Sequence, residues 1–517
     1  TSQRNGPVRT LPDQFPEILK LTNRRRYPPI PNCASTRKPF PIELAAMASL
    51  LDGDDTNGNR RMFPRVNGTS PKMPANDVRK IKKRISQRMQ RTGSMPQRMQ
   101  RTMSVPQRKQ RAMSLQPISE LLLDVMVWEI LIRLPVESLV RFKLVSKAWY
   151  AIISDPVFVR AHLQCSKEKQ HRNPSSFLVT PQIYLEPNPS GLFSTNIRFY
   201  LWSLQQDDMS RSSSSATLLY GRQFPTGEFG LVSQMAHCDG LVLLPTNTNT
   251  YVFNPATRDV VALPRCHRNM LQHPSCLPIG LGLDVSTGTY KVARSFYRSG
   301  DYSSVAMGME VFTIIGEEGH WRETLLDPPY PIVCPQTAIH CKGSLFYFID
   351  KKNQRCPPQA LLRFCLQDET FGITPLLNNV YPTVEDDDIV LHELDGELCA
   401  TFFSKCVQRV LVWMARDIVN PEWDCHYVIN VSDHCCPVAS LSVTGGFLLR
   451  RGHCLIRYYM KAHGVKEEDT FDMDDLRFLG PSEDTLGHAW ENLCVFELLY
   501  YTASLVPITP KASLQAL

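Results

Sequence analysis

The segment GLVLLPTNTNTYVFNPATRDVVALP (Gly240–Pro264) contains three short runs rich in apolar and β-branched residues. The clusters TNTN and NPATR separate these runs, and both consist of residues that favour turns. Short apolar runs bounded by turn residues are typical of β-strands rather than of helices. The segment therefore predicts three consecutive strands.

Similar units recur along the chain from about residue 170 onward. Glycines precede or open an apolar strand at Gly240, Gly343, Gly396 and Gly446, with separations of 103, 53 and 50 residues, and the longest separation leaves room for a unit around Gly282. A period near 50 with several strands in each repeat is typical of a kelch-like β-propeller, and about 330 residues at this period predict six or seven blades. A pair of β-sandwiches stays open as the alternative because the repeats are degenerate.

Upstream of the β-rich region, the sequence signals are helical. Val125–Leu134 and Val136–Val145 predict two helices, and Pro135 between them suits the first position of the second helix. Ser146–Ser154 predicts a third helix that its own serine caps, and Pro156–Leu163, preceded by an aspartate, predicts a short fourth helix.

The first two predicted helices are apolar around most of their circumference. On the first helix, Glu129 and Arg133 form the polar stripe, and on the second Glu137 and Arg141 do so. A unit of roughly 45 residues buries too small a fraction of its surface to be stable alone. Two apolar faces on each helix therefore require a second covering, which either the downstream β-region or a separate protein supplies.

This helical segment resembles the F-box, the small module that binds the Skp-type adaptor of cullin–RING ubiquitin ligases. The resemblance lies in EILIRLP (Glu129–Pro135), SLVRFK (Ser138–Lys143) and ISDPVF (Ile153–Phe158). The family usually opens with Leu-Pro and an acidic residue, whereas this chain has three leucines at 121–123, which predicts a weaker first contact with the adaptor. The residues that the resemblance implies for adaptor binding are Leu121, Val125, Ile130, Leu131, Leu134, Pro135, Leu139, Val140, Phe142, Val145, Trp149 and Ile153.

The β-region resembles the F-box-associated region of plant F-box proteins, particularly those of the large grass families. The resemblance lies in SSFLVTP (Ser175–Pro181), YVFNPATRD (Tyr251–Asp259), LGLDVSTGTYKVARSFYR (Leu281–Arg298) and MGMEVFT (Met307–Thr313). It implies an α+β multidomain chain with an all-α F-box at 116–165 and an all-β, kelch-like propeller domain at 170–505 that selects substrates. The implied function is that of a non-catalytic substrate-recognition subunit of an SCF-type ubiquitin ligase. Its partners would be the Skp-type adaptor, through it the cullin, and an unidentified protein target.

The remaining chemistry of the sequence favours this class over an enzyme. The chain has no dense Cys and His series for a RING and neither a Gly-x-Ser-x-Gly nor a P-loop pattern, so we expect no cofactor and no metal. Cys266, His267, His273 and Cys276 come closest to a metal cluster, but ordinary loop residues are the favoured interpretation. The 16 cysteines are scattered without a Cys-x-x-Cys, which indicates reduced thiols in the cytosol or nucleus. No apolar run approaches the ~18–20 residues that span a bilayer.

Residues 1–115 form a basic arm, with 24 Lys and Arg against 7 Asp and Glu, whereas the remainder has 33 against 43. The arm is rich in Pro, Arg, Ser, Gln and Met without periodicity, which predicts disorder. The sequence RKIKKR (Arg79–Arg84) can act as a nuclear import signal, so the predicted location is the nucleus and cytosol.

The arm also contains a ten-residue repeat, SMPQRMQRTM followed by SVPQRKQRAM. Ser94 and Ser104 each have Arg at −3 and Pro at +2, which resembles the phosphoserine motif that 14-3-3 dimers bind, and Ser114 is a third kinase-type site without the proline. Chance expansion of a low-complexity repeat is the alternative.

Two other functions stay open at this point. The chain could be an F-box scaffold that acts outside a ligase, or a nuclear protein whose basic arm binds nucleic acid. Nucleic-acid binding is the less favoured, because no aromatic residues interleave the arginine repeat and no base-reading domain is recognisable.

Overall fold

The computed structural model describes residues 128–508 except for 173–175, 184–194, 205–214, 226–227, 229–233, 247, 265–275, 300–305, 316–318, 353, 355, 378–385, 387–388, 405–408, 432–434, 442–445, 461–465, 475 and 480–492. The predictions for the basic arm, for Ser94, Ser104 and Ser114, and for Leu121 and Val125 therefore lie outside the described residues. No helix in the described part combines the length and hydrophobicity needed to span a membrane.

A helical turn at 128–131 precedes three helices, α1 (Val136–Phe142), α2 (Lys147–Ile153) and α3 (Pro156–Arg172). Pro135 stands at the N-cap of α1, one position before the predicted one. Helix α1 ends three residues earlier than predicted, because Leu144 and Val145 donate to carbonyls only three residues back and so tighten the chain into a turn. The predicted cap of α2 is confirmed, since the Ser146 hydroxyl accepts from the Trp149 amide at 3.2 Å.

Helix α3 is much longer than the predicted 156–163. It begins as expected, with the Asp155 carboxylate accepting from the Val157 amide at 2.8 Å, but it continues to Arg172. Its second half contains neither glycine nor proline, and Glu168 forms an i,i+4 ion pair with Arg172 at 3.5 Å. The prediction was too short because residues 164–172 lack the apolar periodicity on which it depended.

The β-region is a six-bladed propeller, within the predicted six or seven blades, and the paired-sandwich alternative is wrong. Blade 1 contains β1 (Ser176–Ile183), β2 (Asn196–Ser203), β3 (Ser215–Gln223), β24 (Arg477–Leu479) and β25 (Leu493–Tyr500). Blade 2 contains β4 (Ala236–Cys238), β5 (Leu241–Pro245), β6 (Thr250–Asn254) and β7 (Asp259–Ala262), and blade 3 contains β8 (Ile279–Asp284), β9 (Thr289–Tyr297), β10 (Met307–Thr313) and β11 (Arg322–Glu323).

Blades 4 to 6 repeat the same four-stranded antiparallel order. Blade 4 contains β12 (Ile339–Cys341), β13 (Ser344–Phe348), β14 (Ala360–Cys365) and β15 (Phe371–Pro375), and blade 5 contains β16 (Val390–Leu394), β17 (Glu397–Ser404), β18 (Arg409–Ala415) and β19 (Trp423–Asn430). Blade 6 contains β20 (Cys436–Leu441), β21 (Gly446–Arg451), β22 (Cys454–Met460) and β23 (Lys466–Asp472).

The first strand of each blade lies innermost and contacts the first strand of the next blade, in the order β4, β8, β12, β16, β20 and β25. Strand β25 is therefore the innermost strand of blade 1 although it comes last in the chain. It pairs with β1 from Phe177–Tyr500 to Ile183–Leu493, so a C-terminal strand and an N-terminal strand complete one blade together. This pairing closes the ring.

Three blades share the same turn between their first and second strands. Asp239–Gly240, Lys342–Gly343 and Asp395–Gly396 all have positive φ at both positions, from 48° to 84°. Two consecutive left-handed residues make the type I′ turn that matches the twist of antiparallel strands. Three of the four glycines of the sequence period, Gly240, Gly343 and Gly396, therefore lie in these turns, whereas Gly446 opens β21 and Gly282 lies inside β8.

Two tryptophans repeat a contact between neighbouring blades. The Trp321 indole N–H donates to the carbonyl of Pro264 at 2.7 Å, and the Trp423 indole N–H donates to the carbonyl of Pro375 at 2.9 Å. Trp423 opens the outermost strand β19, and Trp321 directly precedes the outermost strand β11. Each acceptor belongs to the preceding blade: Pro375 ends β15, and Pro264 lies two residues beyond the end of β7. This tryptophan contact is a second repeated feature of the blades, besides the glycine turns, and it was not predicted from the sequence.

Candidate functional site

The helices and the propeller share one hydrophobic core. Leu131, Leu139 and Ile153 from the helices are at most 2% exposed, and they belong to the same buried cluster as Leu243 of blade 2 and Leu281 of blade 3. The second covering that the helices require is therefore supplied by the propeller, as the first alternative from the sequence had it.

Aromatic side chains hold the helices to one another. Phe142 of α1 meets Trp149 of α2 edge to face at 5.0 Å, and Trp128 meets Phe158 of α3 in the same way at 4.9 Å. His162 of α3 is buried, and its Nε2 lies 2.9 Å from the carbonyl oxygen of Leu134. Burial lowers the pKa of His162, so the neutral ring donates to this carbonyl.

The basic end of α3 lies over acidic turns of the propeller. Lys167 Nζ forms an ion pair with Asp239 at 2.5 Å, and the Tyr290 hydroxyl donates to the other oxygen of Asp239 at 2.9 Å. His171 Nδ1 lies 3.6 Å from a carboxylate oxygen of Asp395. Because these aspartates lie in the turns between first and second strands, helix α3 covers that side of the propeller, which we call the helix face.

The C-terminal tail (501–508) completes this interface. Leu505, Val506 and Ile508 are buried in the cluster that contains the helix residues. The side-chain amide of Asn254, which is fully buried, donates to the carbonyls of Ser504 at 3.1 Å and Val506 at 2.9 Å. The tail therefore ties the last strand of the chain to blade 2 beneath the helices.

Three histidines on innermost strands are neutral at physiological pH. Burial lowers the pKa of His237, His340 and His392 to about 4 in each case. His237 Nε2 accepts from the Gly240 amide at 3.1 Å, and His340 Nε2 accepts from the Leu283 amide at 3.3 Å. Two of these rings thus serve as acceptors for the turns and strands around them.

The sequence predicts that the chain holds no metal, and the described residues bear on this prediction. In that part of the chain, no three His, Cys, Asp or Glu side chains come together in a way that could hold a metal ion. Of the four residues in the weak cluster of the sequence, Cys276 is described and buried, and its carbonyl accepts from the Cys334 thiol at 3.2 Å. Cys266, His267 and His273 lie outside the described residues.

The helices nevertheless keep an apolar surface in solvent. Ile130 is 47% exposed, Leu144 87%, Val145 66% and Tyr150 46%. These are four of the twelve exposed large apolar side chains in the described residues, and they fall within only 21 residues of sequence. All four belong to the helical segment, and exposed apolar side chains that share one surface mark a protein-binding site more often than single scattered ones do. We call these four residues the exposed helix patch.

The predicted adaptor-binding residues divide into groups by exposure. The structure exposes Ile130, Pro135 and Val145, half-buries Leu134, Val140, Phe142 and Trp149, and buries Leu131, Leu139 and Ile153. The three buried residues belong to the shared core, so they are not accessible to an adaptor in this conformation. Leu144 and Tyr150 are exposed and were missed, because the sequence pattern did not show which apolar face the propeller would cover.

The opposite side of the propeller carries the loops between blades and between second and third strands. We call it the target face, because the resemblance in sequence implies that the propeller selects a protein target. The loop after β11 has two exposed leucines, Leu325 (fully exposed) and Leu326 (62%). Arg298 fixes the base of this loop through contacts with Glu323 at 3.1 Å and Asp327 at 2.9 Å. Because helix α3 occupies the helix face, the target face is the side that faces away from the helices.

Comparison with known proteins agrees with both parts of the structure. The sequence-family model for the F-box domain matches residues 120–160. The sequence-family model for the F-box associated beta propeller domain matches residues 192–446. An F-box/kelch-repeat protein of Arabidopsis thaliana is 27% identical over 314 residues, which cover 56% of this chain and 67% of that protein. An F-box/LRR-repeat/kelch-repeat protein of the same plant is 29% identical over 287 residues, which cover 53% of this chain and 68% of that protein.

Proposed function

We propose that this chain, which is a plant F-box protein with a C-terminal F-box-associated domain, is the substrate-recognition subunit of an SCF-type cullin–RING ubiquitin ligase. The helices would bind the Skp-type adaptor, and the propeller would bind a protein target. The subunit itself transfers no ubiquitin. It raises the effective concentration of a target lysine beside the ligase by holding one protein at each end.

The observation that carries this proposal is the exposed helix patch, which stays in solvent although the propeller already covers the other side of the helices. Fully burying one apolar side chain gains about 1.5–3 kcal/mol, so the exposed fractions of these four residues supply about 4–7 kcal/mol. Association costs about 4–15 kcal/mol, so the half-buried residues must also contribute and the helices must be ordered beforehand. Packing on the propeller supplies that order.

The test is the affinity of the purified full chain for a Skp-type adaptor. We expect the double variant Leu144→Asp, Val145→Asp to bind the adaptor at least 100-fold more weakly, because two charges would replace apolar contacts. The matched control is Leu325→Asp, Leu326→Asp, a neighbouring pair of equally solvent-exposed aliphatic residues on the target face. This control should bind the adaptor like wild type.

Equal adaptor affinity of wild type and both double variants would reject the proposal. Co-purification of the cullin separates a ligase subunit from an F-box scaffold that acts outside a ligase. A cullin that is absent while the adaptor is present would favour the scaffold.

We also propose that the basic arm locates the protein to the nucleus and cytosol and, when Ser94 and Ser104 are phosphorylated, binds 14-3-3. The support is the sequence alone, namely RKIKKR and the Arg and Pro positions around the two serines. A doubly phosphorylated peptide of the repeat should bind 14-3-3, and no affinity would reject that part. Salt-sensitive nucleic-acid binding confined to the arm would instead favour the nucleic-acid alternative.

A further inference from the structure

The outermost strand of each blade has one edge that no neighbouring strand within the blade covers. Such an edge presents unpaired backbone N–H and C=O groups, to which another extended chain can add. Propellers normally keep these edges short or protected. The six blades therefore allow a comparison of how each edge is protected.

Five of the six edges have an evident protection. Strand β11 has only two residues and β7 only four. Strand β15 contains Gly372 and ends in Pro375, and β23 has the charged sequence KEEDTFD. The edge of β3 is covered by β24, which pairs with it in parallel from Arg477–Ser215 to Leu479–Thr217.

Strand β19 is neither short nor covered by a described strand, and its only irregularity is the extra residue at the register shift, His426. It is eight residues long, with the sequence WDCHYVIN, and contains no Pro, Gly, Lys, Arg or Glu. Every residue of β19 except His426 pairs with β18, and no described strand pairs with its other edge. Asp424, Cys425, His426 and Asn430 are exposed, and Val428 is 46% exposed.

One face of β19 packs against blade 6. Ile429 is 2% exposed and belongs to the core between blades 5 and 6, and the Tyr427 ring meets Phe447 of blade 6 edge to face at 4.5 Å. At His426 the register shifts, so that this residue has no partner on β18. A strand that is fixed by packing on one face and unpaired along one edge needs little reorganisation to accept a further strand at that edge.

We propose that β19 is a docking edge on which an extended segment of the target protein adds as a fifth strand of blade 5. This inference rests on the proposed function, since the occupant is a segment of the ubiquitination target. Blade 1 of the same chain already shows such an addition, because β24 pairs with the outermost strand β3. The occupant is therefore an unfolded or terminal stretch of about seven or eight residues, at the usual rise of a strand.

The exposed side chains of β19 restrict the occupant further. Val428 offers apolar contact in the second half of the edge, whereas Glu422 and Asp424 are both exposed and place negative charge at its beginning. A β-branched or aromatic residue beside Val428 fits this edge, and a Lys or Arg beside Asp424 fits better than an acidic residue. The target segment is thus apolar where it lies beside Val428 and basic at the end that lies beside Asp424.

The test uses twelve-residue peptides selected from a random display library on the full chain bound to its adaptor. Two variants disable the edge. His426→Pro removes a donor at the register shift, where proline is tolerated, and Val428→Lys introduces the charge that natural edges use for protection. The matched control is Ile373→Lys, because Ile373 is 43% exposed on the outermost strand of blade 4.

We expect selected peptides to bind wild type and Ile373→Lys equally, and to bind both β19 variants at least tenfold more weakly. They should also slow amide hydrogen exchange at residues 423–430. Peptides that bind all four proteins equally, peptides that protect only the loops of the target face, or a library without binders would overturn the proposal. A dimer of the chain that Val428→Lys dissociates would overturn it too, since the occupant would then be a second copy.

Failure of this inference is distinguishable from failure of the proposed function. Adaptor affinity depends on the exposed helix patch, and it is measured on the same proteins without peptide. An intact adaptor complex that binds no peptide rejects the docking edge alone.

Discussion

Replacing Gly240 with alanine should loosen the C-terminal tail, whereas replacing Gly396 with alanine should not. Both glycines occupy the second position of a type I′ turn, with φ of 84° and 82°. An alanine at either position therefore carries the same cost of a left-handed backbone, about 1–2 kcal/mol. The difference in the free energy of unfolding between the two variants therefore reports only the contacts that the added methyl group makes.

At Gly240 the added Cβ would lie 2.6 Å from the hydroxyl oxygen of Ser504 and 2.8 Å from the carbonyl oxygen of Thr502, whereas at Gly396 it meets nothing within 4 Å. Because the Thr502 contact is with backbone, the tail itself must move. That movement would break the two hydrogen bonds from Asn254 and leave two buried carbonyls unpaired, at about 1–2 kcal/mol each. We therefore expect Gly240→Ala to cost about 2–4 kcal/mol more than Gly396→Ala.

The assay is amide hydrogen exchange at residues 501–508, together with urea unfolding. An additional 2–4 kcal/mol corresponds to a loss of protection of roughly 30- to 1,000-fold at the tail, since about 1.4 kcal/mol is a factor of ten. Gly396→Ala should leave protection of the tail unchanged. Equal effects of the two variants on the tail would refute the reasoning that the tail is wedged against the turn of blade 2.

Other changes test further contacts. Asn254→Ala should weaken the tail by about 2–4 kcal/mol in urea unfolding, because it removes both of its buried hydrogen bonds. His392→Gln should remove about one proton from the pH dependence of unfolding between pH 6.5 and 4. The pKa of His392 is about 4 in the folded protein and lies below the usual 6.5, so the wild-type protein loses stability as the pH drops through this window. A glutamine does not titrate and therefore removes this contribution. An unchanged slope would contradict the burial of this ring. Trp423→Phe should lower the free energy of unfolding by about 1 kcal/mol through its lost hydrogen bond to blade 4, without changing adaptor affinity.

Local features of the fold were predictable from the sequence because they depend on neighbouring residues. The cap at Ser146 and the period of the blades were both confirmed. The period was visible because a type I′ turn favours glycine at positions such as Gly343, which leaves a mark in the sequence at three of the blades. Turn chemistry of this kind is read directly from the residues.

The arrangement of the parts was not predictable, because it depends on contacts between distant residues. Asn254 binds the tail across 250 and 252 positions of sequence, and no local pattern announces such a contact. The parallel pairing of β24 with β3 likewise joins residues that lie far apart in the sequence, such as Arg477 and Ser215. Likewise, the apolar pattern of the helices identified two faces that need covering, but not that the propeller would take Leu139 and leave Leu144 in solvent.

The most direct test of the central claim is amide hydrogen exchange of the full chain with and without a purified Skp-type adaptor. Binding should slow exchange around the exposed helix patch, residues 130–150, and leave α3 and the tail unchanged because the propeller already covers them. An adaptor that leaves residues 130–150 unprotected, or that speeds exchange in α3 by displacing it from the propeller, would contradict the account.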